Sequence, residues 1–194
     1  MIKISKPKCP NSSVLQGDYK HPVNKNALVD ASSGKCMYCE SKITHVYFGD
    51  VEHIKPKSKF PSLQFDWFNL GFSCAKCNSA KSDKYDENTP HINPYDEDPE
   101  EHLIAWGALL KTKNASERGE ITILDINLNR PELIEKRNAR ILDLGRALDA
   151  CARTKNTNLK QLAVDALMAE SYPDKEYSLF VKTFFNLHGI NNVI

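Results

Sequence analysis

The sequence predicts an α+β chain that is mainly helical. After residue 129, apolar residues recur at helical spacing, whereas β-branched and aromatic residues concentrate in residues 43–54. Two Cys-x-x-Cys pairs, with 34 residues between them, indicate a folded excursion whose ends are held by a metal ion. A chain of 194 residues has room for one domain with additions, or for two small domains.

Composition excludes several classes of protein. Apolar residues make up 41% and charged residues 26%, which rules out a wholly disordered chain, a collagen-like chain and a coiled coil. No apolar run approaches the roughly 18 residues of a membrane span, and no secretory signal is visible, so we expect a cytoplasmic protein without membrane contact. The net charge is only +1, so binding to nucleic acid would need a local basic patch or a partner.

The N-terminal third carries the weaker structural signals. Residues 1–23 contain several turn formers and little periodicity, which is typical of an arm. Residues 24–33 are predicted to form a short helix, with Asn24 as its cap and Gly34 as its stop.

The middle of the chain predicts a hairpin, a loop and a helix in that order. Residues 43–54 indicate a hairpin with a Gly-Asp turn, and residues 55–73 are proline-containing and aromatic, which favours a loop. A helix is expected from the second cysteine pair to about Tyr85. Residues 86–101 contain seven acidic residues and no Lys or Arg, so we expect a domain boundary there.

The C-terminal half has the clearest helical pattern. Residues 102–113 favour strand, and residues 117–127 leave helix and strand open. Residues 129–132 predict a capping box with proline in the first turn. Apolar stripes predicted to face the core follow: Ile134, Ile141, Leu144 and Leu148; then Leu159, Leu162, Ala163, Ala166 and Leu167; then Tyr177, Phe180, Val181 and Phe184.

The cysteines carry the strongest chemical signal. Two pairs of soft ligands in a chain without a secretory signal favour one tetrahedral Zn²⁺ site over disulfides or redox motifs. The four predicted ligands are Cys36, Cys39, Cys74 and Cys77. Cys9 and Cys151 are solitary and are interpreted as incidental thiols.

Between and beside the cysteines lies a set of residues suited to metal-assisted hydrolysis. The carboxylate of Glu52 and an asparagine oxygen can hold a hard cation such as Mg²⁺, and His53 can take a proton from water. Residues 35–85 also contain eight lysines against five acidic residues, a local positive patch. Since neighbours in a strand face opposite ways, Glu52 and His53 need a bulge or a strand end to reach one phosphate.

Four blocks of sequence resemble the HNH endonuclease family. They are Gly34-Lys35-Cys36-x-x-Cys39, Val51-Glu52-His53-Ile54, Trp67-Phe68-Asn69-Leu70 and Ser73-Cys74-x-x-Cys77-Asn78-x-x-Lys81. Among HNH proteins, the chain is most similar to the Septu-type anti-phage defence nucleases, which work beside an ATPase. The segment Leu128-Asn129-Arg130-Pro131-Glu132 also looks like that branch.

The resemblance implies a fold and a set of roles. The fold is a ββα-metal core held by four-cysteine zinc, followed here by a helical region. His53 matches the general base, Asn69 matches the residue that holds the loop and orients that base, and Glu52 and Asn78 match the ligands of a catalytic Mg²⁺ or Mn²⁺. We further expect Lys81 and Lys57 to contact phosphate. Asp50 is a weaker candidate ligand.

These expectations combine into one prediction of organisation and function. The predicted divisions are an arm and short helix at 1–33, a nuclease core at 34–85, an acidic linker at 86–101 and a helical, partner-docking region at 102–194. We expect an endonuclease that cleaves DNA with an ATPase subunit as partner. The alternative is a zinc-stapled nucleic-acid-binding or adaptor module without activity.

Overall fold

A computed structural model describes residues 1–44 and 47–190. The chain is mostly helical, with two small antiparallel sheets, so the predicted fold class is confirmed. The strands are β1 (Asp50–His53), β2 (Leu70–Ser73), β3 (Leu103–Trp106) and β4 (Leu109–Thr112); the α-helices are α1 (Ser12–Leu15), α2 (Pro22–Ala31), α3 (Ala75–Lys81), α4 (Glu117–Asp125), α5 (Pro131–Arg153), α6 (Thr157–Met168) and α7 (Ser178–Leu187). Short 3₁₀ turns cover Pro61–Leu63, Trp67–Asn69, Pro99–Glu101 and Ala169–Ser171.

The centre of the molecule is a ββα unit made of β1, β2 and α3. β1 and β2 pair antiparallel, with Glu52 opposite Gly71 and His53 opposite Leu70. A β-carbon at Gly71 would lie 2.3 Å from the sulfur of Met37, so any other residue there would force the buried Met37 side chain to move. This packing places the cysteine turn beside the strand pair.

The predicted hairpin over residues 43–54 is wrong in its pairing. β1 pairs with β2 across residues 54–69, and Gly49, with φ of +65°, directly precedes β1. Residues 45 and 46 of that predicted hairpin lie outside the described residues. The predicted loop therefore contains β2, a strand of four residues that finds its partner only through tertiary contact. α3 also ends at Lys81, earlier than predicted.

The N-terminal segment packs into the core. Met1 and Ile4 are buried, although the sequence indicated an arm. The helix α2 begins at Pro22, and the side chain of His21 caps it by accepting a hydrogen bond from Val23. Asn24, which was predicted to cap this helix, is instead buried within it.

The C-terminal elements follow the sequence pattern with two exceptions. Residues 102–113, where the sequence favoured strand, form the hairpin of β3 and β4, and α5 begins at Pro131. Asn129 does not cap α5; it exchanges two hydrogen bonds with the backbone of Leu110, at 2.8 and 2.9 Å, and so ties α5 to β4. In α6, Leu159 and Leu162 are 58% and 66% exposed, so the predicted core stripe is wrong at these two positions. Leu167 of the same stripe packs against a buried apolar cluster.

One apolar cluster extends from Met1 through the ββα unit to Phe180. The acidic segment 86–101 contributes Ile92 and Tyr95 to this cluster. Residues before and after the acidic segment belong to the same apolar cluster. The predicted domain boundaries stay a prediction. In the described residues, no helix has the length and apolar character needed to cross a membrane.

Candidate functional site

The four predicted zinc ligands meet at one point. The sulfur atoms of Cys36, Cys39, Cys74 and Cys77 all lie within 4.8 Å of one another, and the Cys39 and Cys74 sulfurs are 3.9 Å apart. A tetrahedral zinc ion with bonds of about 2.3 Å separates its sulfur ligands by about 3.8 Å. The ligand set and the spacing therefore fit a structural zinc site.

Local structure explains how each pair faces the cluster. Cys74 is the N-cap of α3, and its sulfur accepts a hydrogen bond from the backbone N–H of Cys77 at 3.4 Å. The backbone N–H of Met37 donates to the carbonyl of Phe72 at 2.9 Å, which fastens the first pair to β2. The cluster thus joins the start of α3 to the turn that precedes β1.

Arg130 links this cluster to the helical half. Its guanidinium donates to the sulfurs of Cys77 at 3.5 Å and Cys74 at 4.0 Å. Burial acts to lower the pKa of Arg130, but the neighbouring cysteine sulfurs raise it overall. A nearby permanent cation offsets the negative charge that four thiolates bring to a zinc site. The sequence showed Arg130 only as part of a motif, without this role.

A cleft of about 370 Å³ opens beside the ββα unit. β1 contributes Asp50, Glu52 and His53 to its lining, and α3 contributes Asn78. His53 is the last residue of β1, so the strand end lets both it and Glu52 face the cleft. Three of the four residues predicted to carry catalysis therefore share one opening; Asn69 does not line it.

His53 is held in one orientation. Its Nε2 lies 3.0 Å from the carbonyl oxygen of Gln64, which can only accept, so Nε2 carries the proton and Nδ1 is the unprotonated nitrogen of the neutral ring. Burial lowers the pKa of His53, the hydrogen bond to Gln64 acts in the opposite direction, and the ammonium groups of Lys57 and Lys81 lower it further. Burial and these two charges favour the neutral imidazole, the form able to accept a proton.

Asn69 holds the loop that carries this histidine's hydrogen-bond partner. Its side-chain oxygen accepts from the backbone of Lys55 at 2.7 Å, and its amide donates to the carbonyls of Lys55 and Leu63 at 3.0 and 3.1 Å. Because Asn69 is buried, these bonds are shielded from water. Asn69 therefore ties Lys55, and Leu63 directly before Gln64, to the start of β2.

Asn78 is paired with Asp50. The amide nitrogen of Asn78 donates to one carboxylate oxygen of Asp50 at 3.1 Å, and the hydroxyl of Tyr47 donates to the other at 2.8 Å. An amide that donates through nitrogen keeps its oxygen as the acceptor, which is the atom that a hard cation requires. Asp50 is thus placed beside the predicted ligand.

Glu52 has an internal partner. Its carboxylate lies 2.7 Å from the ammonium of Lys81, and both side chains are buried. Lys81 also donates to the carbonyl of His53 at 2.9 Å. Burial raises the pKa of Glu52 to about 7, although Lys81 acts in the opposite direction. Carboxylate and amide oxygens suit Mg²⁺, yet within the described chain only the cysteine cluster brings three or more potential ligands of the His, Cys, Asp and Glu types together.

The two lysines predicted to contact phosphate occupy different places. Lys57 lines the cleft. Lys81 has no exposed surface, and its ammonium is engaged by Glu52 and the His53 carbonyl. A phosphate contact by Lys81 finds no support in this position, since the side chain would first have to leave its two partners.

Replacing Lys81 with methionine should destabilise the fold by about 3 kcal/mol, because it leaves Glu52 buried without a partner. The loss stays near the lower end of the range for broken buried pairs, since Glu52 can take up a proton. Urea unfolding at pH 7 measures the change. Lys84→Met is the matched control, because Lys84 is half-exposed and lies 3.9 Å from Asp125; a loss below about 1 kcal/mol is expected there. Equal losses in the two variants would contradict a structural role for Lys81.

Comparison with known proteins agrees with this arrangement. Residues 36–84 match the HNH endonuclease family, over the segment that contains the ββα unit and all four cysteines. Residues 36–84 are thus similar to an HNH domain.

The similarity extends beyond the HNH domain. The chain is 29% identical to the Septu protein PtuB of Bacillus thuringiensis over 174 residues, which cover 82% of this chain and 67% of that protein. It is 31% identical to the Septu protein PtuB of Bacillus mycoides (strain KBAB4) over 150 residues, or 61% of this chain and 51% of that protein. The chain thus spans about half the length of the second relative.

Among the residues that line the cleft, Tyr19, Lys20, Ser82 and Asp83 had no role predicted from the sequence. Tyr19 and Lys20 line it from the segment between α1 and α2, outside the HNH domain. Their separation from His53 along the chain gave no periodic or motif signal, so only tertiary contact reveals them.

Proposed function

We propose that this chain is an HNH endonuclease that hydrolyses phosphodiester bonds in DNA. The observation that carries the proposal is the anchored ring of His53, whose Nε2 is bound to the Gln64 carbonyl while the ring lines the same cleft as Asn78. That arrangement supports proton transfer from water to Nδ1. Similarity to the HNH family supports the same reaction class.

Each residue has a proposed part. His53 accepts the proton of the attacking water, and Asn69 keeps the Gln64 loop in place so that the ring keeps its orientation. Glu52 and Asn78 would hold one Mg²⁺ or Mn²⁺ ion, with Asp50 orienting the amide of Asn78. When bound, such an ion polarises the phosphate and stabilises charge on the leaving oxygen.

We further propose that the chain acts in the cytoplasm as the nuclease subunit of an anti-phage defence system, with an ATPase subunit as partner. The support is its similarity to two proteins named Septu protein PtuB and the resemblance of its motifs to that branch. Helices α5 to α7 are the candidate docking region, because the proposed chemistry is confined to the ββα unit and its neighbours.

The experiment is a nicking assay with supercoiled plasmid, using the full chain with and without the ATPase subunit. We expect nicking only when Mg²⁺ or Mn²⁺ is added. Asn78→Ala should raise the Mg²⁺ concentration for half-maximal rate by at least about tenfold. Asn88→Ala is the matched control, because Asn88 is exposed in the acidic segment, outside the cleft and outside helices α5 to α7. The proposal would be contradicted by nicking that does not depend on added cation. It would also be contradicted if Asn78→Ala and the control needed the same Mg²⁺ concentration for half-maximal rate.

One observation favours a second candidate function. The carboxylate of Glu52 is already engaged by the buried ammonium of Lys81. A zinc-stapled nucleic-acid-binding or adaptor module would need no free carboxylate at this place. Binding of plasmid without nicking by the wild type, in the presence of partner and either cation, would select this candidate.

A further inference from the structure

The cleft has a second wall, which comes from outside the HNH domain. Tyr19 and Lys20, between α1 and α2, line it together with Lys57 from the loop after β1. The family similarity covers residues 36–84 and so includes only Lys57 of these three. The N-terminal segment therefore completes the cleft.

Tyr19 is the centre of this wall. Its ring meets the ring of His53 edge-on, with centroids 4.6 Å apart and planes at 68°, and it also lies 6.3 Å from the ring of Phe65. Its hydroxyl accepts a hydrogen bond from the ammonium of Lys57 at 2.8 Å. Because that bond uses the hydroxyl as an acceptor, its proton stays available to a further acceptor.

Two positive charges stand at this ring, in a cleft that is also lined by the carboxylates of Asp50, Glu52 and Asp83. The ammonium groups of Lys57 and Lys20 lie 4.9 and 5.7 Å from the centre of the Tyr19 ring. Across residues 1–44 and 47–190, neither forms an ion pair with a carboxylate within 4.0 Å. Cations held near one another and open to solvent favour an incoming anion.

The two walls differ in chemistry. The first carries Asp50, Glu52 and Asn78, whose side-chain oxygens can act as ligands of a cation. The second carries two ammonium groups and a hydroxyl, all of which are hydrogen-bond donors that suit phosphate oxygens. His53 lies on both, since it follows Glu52 in β1 and packs against Tyr19.

We infer that Tyr19, Lys20 and Lys57 form a phosphate-binding subsite that holds the nucleic-acid backbone beside His53. The choice of DNA as the ligand rests on the proposed function. The subsite gives the N-terminal segment a part in substrate binding: the two lysines supply charge, and the tyrosine hydroxyl supplies a directed hydrogen bond. The tyrosine ring also supports the imidazole, so it couples the subsite to the proposed base.

The test measures binding of a fluorescein-labelled duplex by anisotropy at several salt concentrations, with the full chain and no added divalent cation. Lys20→Ala and Lys57→Ala should each reduce the slope of log K against log salt by about 0.9. Lys160→Ala makes the same charge change at an exposed site on α6 and should leave the slope unchanged. Tyr19→Phe keeps the ring and should weaken binding by about fivefold, the effect of one hydrogen bond.

The outcomes separate this inference from the proposed function. Unchanged slopes for Lys20→Ala and Lys57→Ala, a loss as large in Lys160→Ala, or no binding by the wild type would overturn the subsite. A wild type that binds with the expected slopes but never nicks plasmid would support the subsite and contradict the nuclease. Tyr19→Phe with wild-type affinity would remove the hydroxyl from the subsite.

Discussion

Cys74→Ser is expected to abolish zinc binding and unfold the ββα unit. Cys74 supplies one of four sulfurs within 4.8 Å of one another and also caps α3, so its replacement removes a metal ligand at the point where the helix begins. Structural zinc contributes on the order of 10 kcal/mol of apparent binding free energy in small domains. The elements around the cluster share the apolar core that extends to Phe180, so the loss should spread beyond the HNH domain.

Zinc content by atomic absorption and thermal unfolding by circular dichroism measure this effect. Cys9→Ser is the matched control, since Cys9 lies outside the cluster and its sulfur is 3.7 Å from the side-chain oxygen of Asn24, a contact that serine can also make. The control should keep one zinc per chain and the wild-type melting temperature. A Cys74→Ser variant with both properties intact would show that these sulfurs do not hold a structural ion.

His53→Ala should lower the rate of DNA cleavage by about 10² to 10⁴-fold, the usual contribution of a positioned general base. The fold should survive, because His53 packs on the cleft side against Tyr19 and donates one hydrogen bond to Gln64. The change removes the nitrogen that accepts the proton while leaving Glu52, Asn78 and Asp50 in place. Binding of duplex DNA should therefore remain close to that of the wild type.

Single-turnover cleavage of a labelled duplex, with the ATPase subunit present, measures this rate. Asn88→Ala is the control, because Asn88 is exposed in the acidic segment and lies outside both the cleft and helices α5 to α7. The control should cleave at the wild-type rate. Equal rates for His53→Ala and the wild type would contradict the role of His53, whatever the state of the zinc site.

Local signals in the sequence accounted for the helical half and for the metal ligands. The proline at the start of α5 and the apolar spacing in α7 act over a few residues, so they can be read directly along the chain. The two cysteine pairs specify their own chemistry, and their convergence is confirmed by the structure. The same local reading placed Asn129 as a cap and buried Leu159, and both predictions were wrong.

In the middle of the chain, the strand pairing could not be predicted from the sequence, because it joins distant segments. β2 has only four residues and pairs with β1 across the loop that Asn69 holds. The sequence therefore shows neither an alternation of apolar and polar residues nor a turn motif that would indicate this pair. A strand this short depends on its partner and on the Met37 turn packed against Gly71.

The sequence by itself predicted the four cysteines that cluster, the predominance of helix and the residue types that the proposed hydrolysis needs. Tertiary structure alone decided that Lys81 turns inward to Glu52, that Asp50 orients Asn78, and that Tyr19 covers the ring of His53. The physical reason is distance along the chain: ligand chemistry is carried by each residue, whereas charge pairing and ring packing depend on which distant segments the folded core brings into contact.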